Sequence, residues 1–406
     1  MARIVLGVAG GIAAYKACEL LRLMTKAGHD VTVVPTESAL NFVGRTTWEA
    51  LSGHPVKTQV FEGADEVAHV RLGQQADLVV IAPATADLIA RAATGRADDL
   101  LTNVLLTAHC PVMLAPAMHT EMWLHAATQA NVATLRERGV IVVDPDDGRL
   151  TGPDSGPGRL PEAADLFPNV ASLLESETVA AAATRRDLAG RHVVVSAGGT
   201  REHLDPVRYL GNSSSGLMGL SIARAAALRG ARVTVVAAHI EHPVPAGATV
   251  RPVVSTADLA EAMTELAPEA DVIVMAVAAA DFTPRTASAG KIKKESADAG
   301  LQLDLVQTTD VLKTLSHRRP REQTIVGFAA ETATGDELLR LGQEKLARKG
   351  CDLLVINDVS GGGVFGQADN AITIVSPDAV IGSWTGSKGA LAHRILDAAG
   401  AVGSAG

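Results

Sequence analysis

A lone imidazole, two glycine-rich turns and a spread of lysines carry most of the chemistry this chain offers. His69, in AHVRL, has the side chain best suited to taking up a proton near neutral pH, although a histidine without support from its surroundings is more often structural. Gly7, Gly10 and Gly11 crowd a turn in RIVLGVAGGIAAYK, where the free N–H groups of a starting helix suit an anion. Ala84, Thr85 and Ala86 are small and follow the apolar run LVVIAP, so backbone there can approach a cofactor closely. Met118 reads equally as core or as the apolar wall of a binding site. In the second half, the Ser213–Gly219 run opens a helix and can receive phosphate on its backbone N–H groups. Lys345 and Lys349, four apart, share a helix face, whereas Lys293 and Lys294 alone would read as solvated surface. Asp281 ends the apolar run ADVIVMAVAAADF without an evident structural partner, which favours a sugar hydroxyl or a metal over a cap.

Two segments that repeat one plan must position these groups. RIVLGVAGGIAAYKACELLRLMTKAGHDVTVVP reads strand, glycine turn, helix, strand. Ala17, Leu20, Leu21 and Met24 follow the i, i+3, i+4, i+7 spacing of a buried helix face, and Gly28 stops the helix. RHVVVSAGGT and SGLMGLSIARAAALRGARVTVVAA repeat the plan with Gly230 as the stop. A further buried strand follows each, ADLVVIAPATADL from Ala76 and ADVIVMAVAAADF from Ala270, so two doubly wound, Rossmann-like parallel sheets of the α/β class are expected. Between them DPDDGRLTGPDSGPGRLPE (144–162) is too rich in Gly and Pro for helix or central strand and reads as a long loop. An alanine-rich helix near 163–187 then precedes a domain boundary at about residue 188, giving domains 1–188 and 189–406, and the final AGAVGSAG reads as frayed.

A dinucleotide site would place an acidic residue at the end of the second strand. That strand ends Val34-Pro35-Thr36, and its counterpart ends Ala237-Ala238-His239. Neither is acidic, which argues against a pair of NAD-type oxidoreductase domains. Hydroxyls at Thr36 and Ser38 suit a monophosphate or a ribityl chain better. Among 406 residues, 47% are apolar, 20% charged and only 3% aromatic, so small aliphatic side chains must fill compact cores. The formal charge of −9 opposes a nucleic-acid partner. Cys18, Cys110 and Cys351 are too scattered for a disulfide framework or metal site and read as reduced core thiols. The opening MARIVLGVAGG reads as a first strand rather than a signal peptide, and no run reaches membrane-spanning length, so a cytoplasmic protein is expected.

GGIAAYK, His69 in AHVRL, APATADLIAR (82–91) and PAMHTEMW (116–123) together resemble the flavin-containing cysteine decarboxylases, over nearly all of residues 1–170. That resemblance implies FMN, held by Gly11, Ser38, Ala84, Thr85 and Ala86 with Met118 beside it, and makes His69 the catalytic base. The family oxidises a C-terminal cysteine-type thiol to a thioaldehyde, after which CO2 leaves. SAGGTREHLDPVRYLGNSSSGLMG (196–219), AAADFTP (278–284), GKIKKE (290–295), GFAAET (327–332) and NDVS (357–360) resemble phosphopantothenate–cysteine ligase over about 190–395. Ligases of this kind use CTP and Mg2+, form an acyl-cytidylate and let the cysteine amine displace CMP. By this resemblance Lys291 sits at the reacting acyl phosphate, Asn212 holds the acyl-cytidylate carbonyl or the substrate phosphate, and Arg208 reaches substrate phosphate across a dimer. The nucleotide would be met by Ser214, Gly216, Ala280, Asp281, Phe282, Thr309, Asp310, Phe328, Lys345 and Lys349, with the cytosine read by backbone around Ala278–Ala280 and Mg2+ held mainly by the nucleotide phosphates. A fused chain of this kind would make phosphopantetheine from phosphopantothenate, cysteine and CTP, as a homo-oligomer built from decarboxylase trimers and ligase dimers, up to a dodecamer.

Three positions depart from the patterns. His119 stands where the decarboxylases carry Asn, and still offers a hydrogen-bond donor. TGPDSGPGR (151–159) lacks the clamp cysteine that protonates the enethiolate, leaving that proton to water or Asp154. Leu217 replaces the lysine of SSGKMG, so one phosphate contact is lost or supplied by another lysine. A flavin-binding regulatory protein without catalysis is the alternative reading, opposed by the retained His69 and the fused ligase motifs.

Overall fold

The computed structural model describes residues 1–59, 68–150, 154–293, 301–319, 322–331, 333, 335–358 and 369–403. Two compact units divide the chain, Met1–Asp187 with Leu228–Gly230, and Leu188–Ala227 with Ala231–Gly406.

In the first unit the strands β1 (Arg3–Val8), β2 (Asp30–Pro35), β3 (Leu78–Ala84), β4 (Val112–Pro116) and β5 (Ile141–Val142) form a parallel sheet of order β2-β1-β3-β4-β5. Alternate strand residues face opposite helical layers. Leu6 and Val80 meet α1 (Ala14–Lys26), α2 (Arg45–Ser52) and the helices beyond residue 162. Val79 and Ile81 meet the other layer, which holds α3 (Ala68–Gln75), α4 (Ala86–Thr94), α5 (Leu100–Thr107) and, after the short α6 (Thr120–Leu124), α7 (Ala126–Glu137). Ala17, Leu20, Leu21 and Met24 of α1 are all buried, each leucine contributing roughly 1.5–3 kcal/mol. Gly28 ends that helix at φ +85°, a backbone conformation that side chains resist.

His69 lies in the first turn of α3. Two expectations fail locally. The Gly/Pro-rich stretch builds a hairpin, β6 (Asp146–Arg149) against β7 (Ser155–Arg159), because glycines at 148, 156 and 158 accept φ near 150°. The alanine-rich helix breaks at Ser176 into α8 (Ala163–Glu175) and α9 (Glu177–Arg185), since Ser176 is extended (φ −152°).

The second unit starts with β8 (His192–Ala197), the small hairpin β9 (Arg201–His203)–β10 (Tyr209–Gly211) and α10 (Leu217–Leu228). It continues through β11 (Arg232–Ala237), β12 (Thr249–Pro252), α11 (Thr256–Leu266), β13 (Val272–Met275), a second small hairpin of β14 (Phe282–Pro284) and β15 (Leu305–Gln307), and α12 (Val311–His317). β16 (Thr324–Glu331), α13 (Gly335–Lys349), β17 (Leu353–Asp358), β18 (Asp369–Val375), β19 (Val380–Ser387) and α14 (Lys388–Gly403) complete it. The sheet order is β12-β11-β8-β13-β16-β17-β18-β19. The first six strands are parallel, β18 runs opposite to them and β19 turns back antiparallel to β18, so this sheet is mixed rather than wholly parallel. The one-residue step from Ser387 into α14 leaves helix and strand joined without a loop. α10 and α14 cover one face and α11 to α13 the other. The alanine-rich end expected to fray is helical to Gly403, where Leu396 and Ala399 are buried.

Candidate active sites

Both sheets reverse strand order at their first strand, between β1 and β3 in one unit and between β8 and β13 in the other. Loops leaving the carboxyl ends of such neighbouring strands diverge and open a crevice.

In the first unit the crevice edge is formed by the Ala9–Ala13 turn and the turn before α4. The Ala9 N–H donates to the Pro83 carbonyl at 3.1 Å, tying the two turns together. Gly10 lies so close to the loop after β2 that a Cβ there would fall 2.6 Å from the Ser38 Cβ. Ser38 in turn sits 3.2 Å from the Thr36 hydroxyl, which caps the next turn by accepting from the Ala39 N–H. Thr85 caps α4 through the Leu88 N–H at 3.4 Å, and Ala84 beneath it is fully buried. Gly11, Ser38, Ala84, Thr85 and Ala86 thus come together on one rim.

Met118, His119 and Thr120 follow β4 on the same edge. The Ala117 N–H donates to the Ala84 carbonyl at 3.0 Å, and the Met118 N–H to the Gly158 carbonyl at 2.9 Å. The β6–β7 hairpin therefore seats on this segment. A Cβ at Gly156 would strike the Thr120 side chain, and one at Gly158 would strike the Met118 carbonyl oxygen. Met118 is half-buried, and His119 is exposed at the start of α6. The Thr120 hydroxyl is buried and hydrogen-bonds to none of the described residues. The hairpin root is held by charge: Lys16 bonds Glu162 at 2.7 Å and the Leu160 carbonyl at 3.2 Å, and Arg159 reaches Glu162 and Asp146. Burial outweighs Arg159 and Lys16 and pushes the Asp146 carboxyl up. Lys16 belongs to GGIAAYK, yet its contacts are structural. Thr151–Pro153 of the stretch without a cysteine lie outside the described residues; Asp154 is exposed at the hairpin tip.

His69 lies in the first turn of α3. Its carbonyl accepts from Thr107 of α5 at 2.9 Å, and its buried Nδ1 bonds to none of the described residues.

In the second unit the crevice deepens to a cavity of about 710 Å³, within the roughly 300–1,000 Å³ usual for small-molecule sites. Asn212 and Ser214–Met218 enter it after β8, Met275–Asp281 after β13, Thr309 and Asp310 before α12, and Phe328 from β16. Gly216 has φ +78° and lies 3.1 Å, from its Cβ position, to the Gly198 nitrogen, so only glycine lets the start of α10 close onto β8. Lys345 and Lys349 of α13 both line the cavity. Lys349 bonds Asp310 at 2.6 Å, and Lys345 lies 3.5 Å from Glu331. Burial would raise the Asp310 carboxyl, but Lys349, the Lys313 N–H and the Lys313 charge outweigh it and hold it low.

Several expected site groups stand in surroundings that the sequence did not show. Asp281 does not end β13; it lies six residues past Met275, exposed beside Phe282 where the chain enters β14, with its carbonyl accepting from Thr308 at 3.0 Å. The Ala278 and Ala280 N–H groups are already spent, on the Gly198 carbonyl (2.8 Å) and the Thr200 hydroxyl (2.8 Å), so they cannot also donate to a base. Asn212 donates to the Ala279 carbonyl at 3.0 Å at the cavity edge. Arg208 and Lys291 are not among the lining residues. Arg208 instead bonds Asp205 (3.0 Å) and the Ile292 carbonyl (2.9 Å). The fully buried Asp205 also accepts from the Val207, Arg208 and Ile292 N–H groups, which outweigh burial and hold its carboxyl below the usual range. Lys291 is therefore exposed on a segment fixed by Asp205; Lys294 lies outside the described residues. Lys388 and Asn370, which no motif marked, line the cavity together with Asn357 of the NDVS stretch.

Residues 1–175 match the Flavoprotein family, and residues 188–402 match the DNA/pantothenate metabolism flavoprotein C-terminal domain family. The coenzyme A biosynthesis bifunctional protein CoaBC of Mycolicibacterium smegmatis is 55% identical over 404 residues, covering 97% of this chain and 96% of that protein. The chain belongs to the CoaBC family. Its Bacillus subtilis member is 41% identical over 379 residues, 92% of this chain and 90% of that protein. A crystal structure of a CoaBC C-terminal domain is 30% identical with TM-score 0.43, covering 52% of this chain and 95% of that one. Like its relatives, the chain is a bifunctional enzyme of coenzyme A biosynthesis with a flavoprotein unit at its N-terminus. None of the described helices is long and apolar enough to cross a membrane.

Proposed function

We propose that the second unit activates phosphopantothenate with CTP as an acyl-cytidylate and joins it to cysteine, and that the first unit decarboxylates the product with FMN, giving phosphopantetheine. The observation that carries the ligase half is the 710 Å³ cavity with the α10 amino terminus on one side and two lysines on the other. A carboxylate attacking an α-phosphorus meets an anion, so the barrier falls only where cations and N–H dipoles screen both partners. Ser214, Gly216 and the following N–H groups suit the phosphates, with Lys345 and Lys349 as counter-charges. Thr309 and Asp310 adjoin those lysines, and Phe282 and Phe328 offer apolar surface to the base. Asp281 and Ala280 line the ribose side, and cytosine selection falls to carbonyl acceptors and side chains rather than to the Ala278 and Ala280 N–H groups. Lys291 acts on the acyl phosphate when its tethered segment meets the bound nucleotide, with Asn212 at the carbonyl and Arg208 toward substrate phosphate. Mg2+ is held mainly by the nucleotide phosphates.

In the first unit the close Gly10–Ser38 approach and the hydroxyls of Ser38 and Thr85 fit an FMN phosphate and ribityl chain, with Ala84, Ala86 and Met118 against apolar parts of the cofactor. FMN, when bound, would take two electrons from the cysteine-type thiol so that CO2 can leave from the resulting thioaldehyde, and would return them as a hydride to the enethiolate so formed, which with the net uptake of one proton gives the saturated thiol with no net oxidation. His69 takes the thiol-side proton, His119 holds the leaving carboxylate, and the seated hairpin shuts out water. Asp154 or water returns the final proton. Ile12, Tyr15, Phe42 and Leu106 are exposed. That exposed apolar surface supports a homo-oligomer, as decarboxylase trimers joined through ligase dimers. The protein works in the cytoplasm on small molecules. The test supplies phosphopantothenate, cysteine and CTP to the flavin-loaded chain. Phosphopantetheine with CMP is expected; CMP alone removes the decarboxylase half, neither product removes the ligase half, and phosphopantothenoylcysteine supplied directly then tests the decarboxylase.

A further inference from the structure

The peptide joining Ala279 to Ala280 lies in the wall of the second unit's cavity and is gripped at both ends. Its carbonyl, on Ala279, accepts from the Asn212 side chain at 3.0 Å. Its N–H, on Ala280, donates to the Thr200 hydroxyl at 2.8 Å. The peptide is trans, so these two groups point in opposite directions and one rigid plane carries Asn212 on one side and Thr200 on the other. On the Thr200 side two hydroxyls close a ring and a third braces it. Thr256, the first residue of α11, lies 3.0 Å from the Thr200 hydroxyl and donates to the Ala280 carbonyl at 3.3 Å. Thr308 donates to the same carbonyl at 2.6 Å.

Counting protons gives the ring one direction, because a hydroxyl has a single hydrogen. Thr256 spends its hydrogen on the Ala280 carbonyl. The Thr200 hydroxyl therefore donates to Thr256 and keeps its lone pairs for the Ala280 N–H. Hydrogen bonds aligned in one sense polarise one another, so each bond of the ring depends on the rest. Thr200 and Thr256 are 0% and 1% exposed, which leaves water no way to replace either hydroxyl. Asn212 is exposed, so its carboxamide takes its direction from the carbonyl that holds it. Thr200 also sets the course of the chain leading into Asn212. Its N–H donates to the Ala278 carbonyl at 3.2 Å, and Gly211 passes so close that a Cβ there would lie 2.8 Å from the Thr200 carbonyl oxygen. One buried residue thus governs both the anchor of the Asn212 side chain and the backbone that delivers it.

We propose that Thr200 is a positioning residue of the ligase site, acting through the Ala279–Ala280 peptide to aim the Asn212 carboxamide at the acyl carbonyl. The assignment rests on the reading of Asn212 as the residue that meets the acyl-cytidylate carbonyl. It is tested on the full chain by a double-mutant cycle of T200V, N212A and their combination. The assay is single-turnover formation of phosphopantothenoylcysteine at saturating CTP, Mg2+, phosphopantothenate and cysteine, so that changes in affinity stay out of the rate. Valine keeps the shape of threonine but leaves the Ala280 N–H without an acceptor and the peptide free to tilt. T200V should slow the reaction roughly ten- to hundred-fold, the range of a misplacement of ~1 Å. T200S keeps the hydroxyl and should recover to within about threefold of wild type. In the N212A background T200V should cost less than about twofold, because the group it aims is gone. A merely structural threonine gives the same loss in both backgrounds, and that result overturns the proposal. So does T200V at wild-type speed, or T200S as slow as T200V. Should T200V not fold, T256V, which opens the ring but leaves the Ala280 N–H on Thr200, is read by the same criteria. If N212A itself matches wild type, the reading of Asn212 falls and takes Thr200 with it; if N212A is slow and the two losses multiply, Thr200 alone falls.

Discussion

Gly158→Ala tests whether the β6–β7 hairpin must sit on the Met118–Thr120 segment for decarboxylation. Gly158 has φ +149°, and its added Cβ would strike the Met118 carbonyl oxygen and lie 3.3 Å from the Met118 carbonyl carbon. The 2.9 Å bond from the Met118 N–H to the Gly158 carbonyl would break as the strands part. Backbone strain of roughly 1–3 kcal/mol and a lost hydrogen bond of about 1 kcal/mol give ~2–4 kcal/mol against the seated hairpin, a population shift of roughly 30- to 1,000-fold. Gly148→Ala is the control: it carries the same φ strain (+153°) with nothing within 4 Å of the new Cβ, so the two variants differ by the clash and the broken hydrogen bond. CO2 release from phosphopantothenoylcysteine is the assay, with flavin absorbance reporting cofactor retention and CMP formation reporting the ligase. G158A should lose at least about tenfold in decarboxylation while keeping flavin and ligase activity, and G148A should lose much less. Wild-type turnover by G158A, or an equal loss in G148A, refutes the reasoning.

Asp205→Asn removes the charge that gathers three N–H groups and Arg208 around the segment carrying Lys291. Acyl-cytidylate formation should slow by ~10-fold or more while the Kd for CTP stays within about twofold, since misplacement rather than lost binding is at issue; a matched rise in Kd would contradict this. His192 is buried with Nδ1 on the Glu269 carbonyl (3.1 Å) and Nε2 on the Thr234 hydroxyl (2.8 Å), and burial lowers its pKa. With the folded pKa below the unfolded value, the unfolded chain binds the extra proton. Its contribution is therefore complete above about pH 6.5 and lost as pH falls below it. Unfolding of the second unit should shift downward between about pH 7.5 and 5.5, and His192→Gln should flatten that slope; an unchanged slope rejects the assignment. Burial lifts the Cys351 thiol to about 11. Only ~0.1% is thiolate at about pH 8, so alkylation should run at least ~200-fold slower than for an ordinary exposed cysteine; rapid labelling in the folded chain would show the site to be open.

The heptad-like spacing of Ala17, Leu20, Leu21 and Met24 and the alternating strand faces were legible because period and burial are local consequences of helix and strand geometry. The glycine turns were legible for the same reason. At 144–162 local composition misled: Gly and Pro lower intrinsic strand preference, yet φ values near 150° at three glycines let the hairpin lie against the Met118–Thr120 backbone. His69 could be ranked as a base by its chemistry, but its side in the fold depends on α3 crossing α5 at Thr107, a pairing between residues 38 apart in sequence.

By itself the sequence determined the two α/β units, the glycine-rich strand-to-helix turns and the residue types able to do acid–base and phosphoryl chemistry, since these follow from periodicity, glycine placement and side-chain chemistry. Tertiary structure alone decided which of those groups meet. It turned Arg208 onto Asp205, spent the Ala278 and Ala280 N–H groups inside the protein, and brought Lys388 from the last helix into a cavity opened by the first strand of its unit. The reason is physical: a cavity at a strand-order reversal gathers residues by sheet position, and sheet order is set by the packing of distant apolar faces.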